Sequence, residues 1–230
     1  MKSVNGRWGE VWFYENDTYV GQSLDKYGEY NPDETECIIS LADKNKLCLD
    51  VGANFGVITQ ALETSGFTCV AFEPQPDIFN IMCKNVRGEK HNCALGDKEG
   101  VSVMPLIPPN QNVNYGGFKV GTQSKLGTVN VAIKTLDSFN FENVGFIKID
   151  VEGYEEKVLR GAEKLIEKCR PILYIEDNRD NPNLRPYILS LEYILEEHNP
   201  ALYRENNYFE LKENIWDSPF SSFNLICKPL

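Results

Sequence analysis

Leu47-Cys48-Leu49-Asp50-Val51-Gly52-Ala53-Asn54-Phe55-Gly56 is the stretch that decides the fold. Leu47–Val51 is apolar apart from Asp50, too short for a helix and ended by a glycine, which reads as a buried strand. From 55 to 62 the apolar spacing becomes helical. A strand that passes through a tight glycine turn into a helix is the first half of a βαβ unit.

The alternation continues on both sides. Residues 34–44 read as a helix before it. Strands are expected at 69–72, 92–95, 146–149 and 172–175, with helices at 78–86, 155–166 and 184–196. Residues 100–135 are irregular and read as hairpin-like with a long loop. Residues 208–211 and 223–227 read as a closing antiparallel pair. Short apolar strands alternating with helices imply an α/β fold with a mostly parallel sheet and helices on both faces. Such sheets bind ligands at the carboxyl ends of their strands.

The 230 residues suit one domain with appendages. With 42% hydrophobic and 11% aromatic residues, a core is available and wholesale disorder is excluded. There are 34 acidic and 23 basic residues, giving a net charge of −11, which repels a phosphate backbone and disfavours nucleic acid as a partner. Seven cysteines, an odd number with no CxxC pair, read as reduced thiols of a cytoplasmic protein rather than a disulfide framework or zinc site. The start, MKSVNGRWGEVWF, lacks the apolar core of a secretion signal, and no window suits a membrane span.

The chemistry lies at the strand ends. After the first strand, Gly52 and Gly56 allow a tight turn, but GxGxxG is broken at Asn54 and Val57, and no GxxxxGK[ST] is present. A dinucleotide or a P-loop phosphate is therefore disfavoured. Glu73 ends the second strand 23 residues after Asp50, where a carboxylate can accept both ribose hydroxyls, and Pro74 stops the strand. A glycine turn and a ribose acid without a phosphate clamp suit S-adenosylmethionine, with Asp50 and the turn backbone at its methionine end. Asn92-Cys93-Ala94-Leu95-Gly96-Asp97 offers a slot for the adenine.

Two acidic groups end the fourth and fifth strands: Asp150 and Glu152, then Glu176 and Asp177. In this topology they lie side by side, and carboxylates this close require protonation or a cation. Asp150, Glu176 and Asp177 suit Mg²⁺ or Mn²⁺ as three oxygen ligands. Glu152 is a candidate base for an acceptor hydroxyl, and Lys148 could instead pair with one of the acids.

CLDVGANFGVITQAL, AFEPQPDIFNIMCKNV, NCALGDKEG, TLDSF and FIKIDVEGYEEKVLRGA together resemble the FkbM family of S-adenosylmethionine-dependent methyltransferases, over roughly residues 30–178. The resemblance implies the seven-stranded, Rossmann-like class I methyltransferase fold and O-methylation of hydroxyls, often on sugars and polyketides. It places Asp50, Gly52, Ala53, Asn54, Phe55 and Gly56 at the cofactor turn, and Glu73 and Pro74 at the ribose. Ala94, Leu95 and Asp97 fall beside the adenine, and Asp150, Glu152 and Gly153 in the catalytic core. Beyond the stretch that carries the resemblance, residues 1–33 are expected as an N-terminal extension packing over the active site and 34–230 as the methyltransferase domain, with a loop-rich insertion around 100–130. The acceptor is then a small molecule or glycan, with Tyr27, Tyr115 and Phe118 as candidate stacking aromatics. A non-sugar natural product is the alternative acceptor. A nucleic-acid methyltransferase is disfavoured by charge and by DVEG standing where [DNS]PP[YFW] would be, and a non-catalytic module by the intact turn and ribose acid.

Overall fold

A computed structural model describes residues 1–108, 111–216 and 221–230. Pro109 and Asn110, within the expected insertion, lie outside the described residues, as do 217–220 near the C-terminal strand.

The chain opens with a hairpin, β1 (Lys2–Gly6) and β2 (Gly9–Phe13), followed by α1 (Val20–Tyr27) and α2 (Pro32–Leu41). Then come β3 (Leu47–Val51), α3 (Val57–Thr64), β4 (Thr68–Phe72), α4 (Pro76–Asn85) and β5 (Glu89–His91). Pro32 and Pro76 each open their helix, where the missing N–H costs nothing. A side excursion follows: β6 (Ala94–Leu95), β7 (Gly100–Pro105) and β8 (Thr128–Lys134). The chain returns through β9 (Val144–Ile149), α5 (Glu155–Arg160), α6 (Glu163–Cys169), β10 (Ile172–Glu176), α7 (Leu184–Ser190), β11 (Tyr193–His198) and β12 (Asn224–Pro229).

The main sheet has seven strands in the order β11-β12-β10-β9-β3-β4-β5. From β10 to β5 neighbours run parallel, while β12 is antiparallel to both β10 and β11. This is the expected class I methyltransferase architecture. The strand order reverses beside β3, which pairs with β4 on one side and β9 on the other.

Alternation along the strands builds both faces. Leu49, Val51, Ile147, Ile149, Leu173 and Ile175 pack with Val158 and Leu159 of α5 and Leu165 and Ile166 of α6. Cys48, Phe146 and Tyr174 face the other way, onto Ile38 of α2 and Ile58 and Leu62 of α3. Phe146 is fully buried, so truncating it to alanine costs about 3–5 kcal/mol.

Three expectations are corrected. The third sheet strand is Glu89–His91, whereas Ala94–Leu95 leaves the sheet to pair with β8. The helix expected at 184–196 stops at Ser190, Glu192 turns at φ +62°, and Tyr193–His198 is a strand. The closing antiparallel pair is therefore β11 with β12, and no strand forms at 208–211. The hairpin-like excursion is present as β7 and β8, antiparallel from Gly100↔Ile133 to Pro105↔Thr128.

Candidate active site

Gly52 is the tightest point of the turn after β3. Its φ is +79°, and a Cβ there would lie 1.8 Å from the carbonyl oxygen of Asp150. Only glycine lets the turn sit against the end of β9. Asn54, at φ +53°, closes the turn, and its amide donates to Glu73 Oε2 at 3.0 Å. The amide of Gln75 donates to Glu73 Oε1 at 2.8 Å. Burial pushes the Glu73 carboxyl up to about 7 despite these two amides.

A cavity of about 620 Å³ lies over the carboxyl ends of β3, β4, β9 and β10, a size typical of ligand sites. Gly52, Asn54, Glu73, Pro74, Ala94 and Leu95 form one part of its wall; Asp150, Glu152 and Glu176 form another. Tyr19, Val20 and Tyr30 enter from the N-terminal segment, and Tyr115 and Phe118 from the long β7–β8 connection. Asp17 ties those two segments together, accepting from the amides of Gly21 at 2.8 Å and Tyr115 at 2.9 Å.

The other residues expected at the cofactor, and Tyr27 expected at the acceptor, lie behind or away from the wall. Asp50 is 1% exposed; its Oδ2 accepts from Thr59 at 2.6 Å. Ala53 is buried, and Phe55 packs edge-on against Tyr14. Gly56 makes room for Met82 of α4 and for Val86 just after it. Asp97 is exposed, one residue past the buried Gly96. Tyr27 is buried against Tyr203 and its hydroxyl is hydrogen-bonded to the backbone of Glu213 and Ile215, so it presents no stacking face.

Beneath the wall lies a buried charge cluster. Lys148 stands opposite Asp50 in the β3–β9 register, 3.7 Å from Asp50 Oδ1 and 3.2 Å from Asp150 Oδ2. Three acids hold its ammonium well above the usual range against the cost of burial. The third is Glu34 of α2, whose carboxyl burial pushes up to about 7 and which also accepts from Asn31. Glu34 was not singled out from the sequence, because only the packing of α2 on the sheet brings it to β9.

The DVEG turn is strained and braced. Glu152 sits at φ +54° and Gly153 at +91°. Glu155 Oε1 accepts from the amides of Val151 at 3.2 Å and Gly153 at 2.9 Å. Burial and then Asp150 push Glu152 up to about 7, partly opposed by Lys119.

The proposed three-carboxylate metal set does not form. Asp177 Oδ2 accepts from Arg185 Nε at 2.6 Å, and Oδ1 from the amide of Arg179 at 3.1 Å. Consecutive residues at a strand end point to opposite sides, so Glu176 enters the cavity and Asp177 leaves it. Among the described residues no cluster of three or more His, Cys, Asp or Glu side chains is arranged to hold a metal. The residues do not fit Mg²⁺ or Mn²⁺.

S-adenosylmethionine fits better. The cavity wall carries Glu73 at the second strand end, the apolar pair Ala94 and Leu95, and the buried Asn54 Oδ1, which lacks a partner and can accept from an ammonium.

The family model described as Methyltransferase FkbM domain matches residues 50–209. A Beauveria bassiana protein named Methyltransferase 1 is 29% identical over 143 residues, covering 50% of this chain and 57% of the relative. A Haloferax volcanii protein named Hexuronic acid methyltransferase AglP is 23% identical over 154 residues, covering 61% of this chain and 60% of the relative. The chain thus spans less than two thirds of the length of either. An FkbM methyltransferase structure from Methylobacillus flagellatus superposes with a TM-score of 0.52 at 17% identity, over 79% of this chain and 43% of that one. A Pyrococcus abyssi tRNA (uracil-54, C5)-methyltransferase, solved with S-adenosyl-L-homocysteine, gives 0.54 at 10% identity, over 95% and 42%. At these identities the likeness is one of fold.

Proposed function

Because the chain belongs to the methyltransferase FkbM domain family, we propose that it is an S-adenosylmethionine-dependent O-methyltransferase whose acceptor is a hydroxyl of a sugar or glycan. One observation carries this reading: Glu73 and Asp150 face one cavity from the strand ends on either side of Gly52, at the point where strand order reverses. The sugar acceptor is supported by the Haloferax volcanii relative, whose name includes hexuronic acid.

In this reading Glu73 accepts the ribose hydroxyls and Asn54 Oδ1 the ammonium, while Ala94 and Leu95 pack the adenine. Asp50 steadies the turn from behind through Thr59 and Lys148. Bound S-adenosylmethionine supplies an electrophilic methyl on a sulfonium. Asp150, held by Lys148, orients the acceptor hydroxyl. Glu152, poised at about 7, takes the hydroxyl proton as the oxygen gains the methyl. The residues 1–33 and the β7–β8 connection close the acceptor side.

Titration calorimetry tests the cofactor directly. S-adenosylmethionine and S-adenosylhomocysteine should bind and NAD should not. Absence of binding by the first two would sink the reading.

A further inference from the structure

Every charged side chain on the described cavity wall is acidic. The wall's titratable carboxylates are Glu73, Asp150, Glu152 and Glu176, and no lysine or arginine is among its described residues. Lys148 is spent on Asp50 and Asp150. Lys119 lies outside the wall, beside the DVEG turn. An anionic acceptor would face these four carboxylates with no cation on the wall itself, Lys119 acting only on Glu152 from beside it, and the cost of an unpaired charge in such a site is large.

Besides Asn54 Oδ1, assigned above to the cofactor's ammonium, two polar groups on the same wall lack partners. Glu176 Oε2 is buried with no hydrogen bond. The Tyr30 hydroxyl, close enough to feel Glu34, Asp150 and Glu176, makes no hydrogen bond among the described residues. A buried polar atom is normally satisfied, so the orphaned Glu176 Oε2 marks where a ligand's polar group belongs, and the half-buried Tyr30 hydroxyl, which feels Glu176, offers it a second polar partner. Neither group is needed for orienting the methylated hydroxyl, assigned to Asp150, or for taking its proton, assigned to Glu152.

We propose that Tyr30 and Glu176 seat a second hydroxyl of the acceptor, beside the one methylated, and that the acceptor is an uncharged polyol rather than a uronate. This rests on the methyltransferase reading of the site. Burial, with Asp150, Glu152 and Glu155 around it, pushes Glu176 up to about 10, so it stays a neutral acid that both donates and accepts.

The test is transfer of tritiated methyl from S-adenosylmethionine into matched methyl hexopyranosides and methyl hexuronides, with cofactor binding measured in parallel. Labelling at least tenfold higher in the uncharged members is expected. Equal or higher labelling of the uronides overturns the proposal. So does labelling of neither series while S-adenosylmethionine still binds. Failure of S-adenosylmethionine to bind would instead overturn the underlying methyltransferase reading. Tyr30→Phe should raise the acceptor KM about tenfold without changing cofactor affinity, and Glu176→Leu should do the same. Glu176→Gln, which keeps an uncharged donor and acceptor, should lose less than Glu176→Leu; the reverse order would remove Glu176 from the seat.

Discussion

The backbone amide of Tyr115 donates to Asp17 Oδ2 at 2.9 Å, joining residues 98 positions apart. The other oxygen of Asp17 accepts from Tyr19 at 3.1 Å and Gly21 at 2.8 Å. One buried carboxylate thus fastens the long connection to the N-terminal segment over the cavity. Asp17→Ala leaves three amides without an acceptor and should cost about 2–4 kcal/mol in denaturant unfolding. Limited proteolysis should then cut first between 106 and 127.

Gly161, in the turn between α5 and α6, packs against the chain just after β6. A Cβ there would lie 1.9 Å from the Gly96 carbonyl oxygen. Gly161→Ala should destabilise the protein by about 2–3 kcal/mol. Cofactor affinity of the folded fraction should survive, and calorimetry below the lowered Tm checks that.

Glu73 makes cofactor affinity depend on pH. Its carboxyl sits at about 7 in the free protein, raised by burial. The ionised form accepts hydroxyl hydrogen bonds best, so affinity should weaken as pH falls through 7 and hold steady above it. Glu73→Gln should cost roughly 10- to 100-fold in Kd and flatten that dependence. A profile with the same slope in the variant would place the titration elsewhere.

Lys148 is the cation on which Asp50, Asp150 and Glu34 converge. Lys148→Met leaves buried acids uncompensated and should cost about 3–5 kcal/mol. Adding Glu34→Gln removes one of them and should recover part of the loss. A double-mutant cycle of stabilities measures the coupling; additive losses would show that Glu34 and Lys148 do not interact.

Because Asp177 is committed to Arg185, chelation should leave turnover intact. Activity after EDTA dialysis, with and without added Mg²⁺, checks this. A loss reversed by Mg²⁺ would require a different set of ligands.

Much of this site was legible in the sequence because it is local. The run Leu47–Val51, its glycine turn and Glu73 are adjacent in chain and in space, and Asp150 and Glu152 follow their strand directly. The strand at 193–198 was hidden because Leu184, Ile188, Leu191 and Leu195 keep helical spacing across the break at Glu192. Asp177 was misplaced by treating it as equivalent to Glu176, although one residue along a strand reverses a side chain. Tyr30, Glu34 and Asp17 carried no signal of their own. Their roles depend on contacts across more than ninety residues, which no local pattern encodes.

The place of β12 has a consequence for assembly. It inserts between β10 and β11, and Asn224 is the registered partner of Glu176. During synthesis, residues up to His91 can already form the turn and the Glu73 side of the cavity. The edge of β10 beside Glu176 stays unpaired until residues 224–229 have emerged, and β11 has no neighbour to join before then. Tyr30 of the proposed acceptor seat is thus made early, but the seat is completed only when β12 joins the sheet beside Glu176.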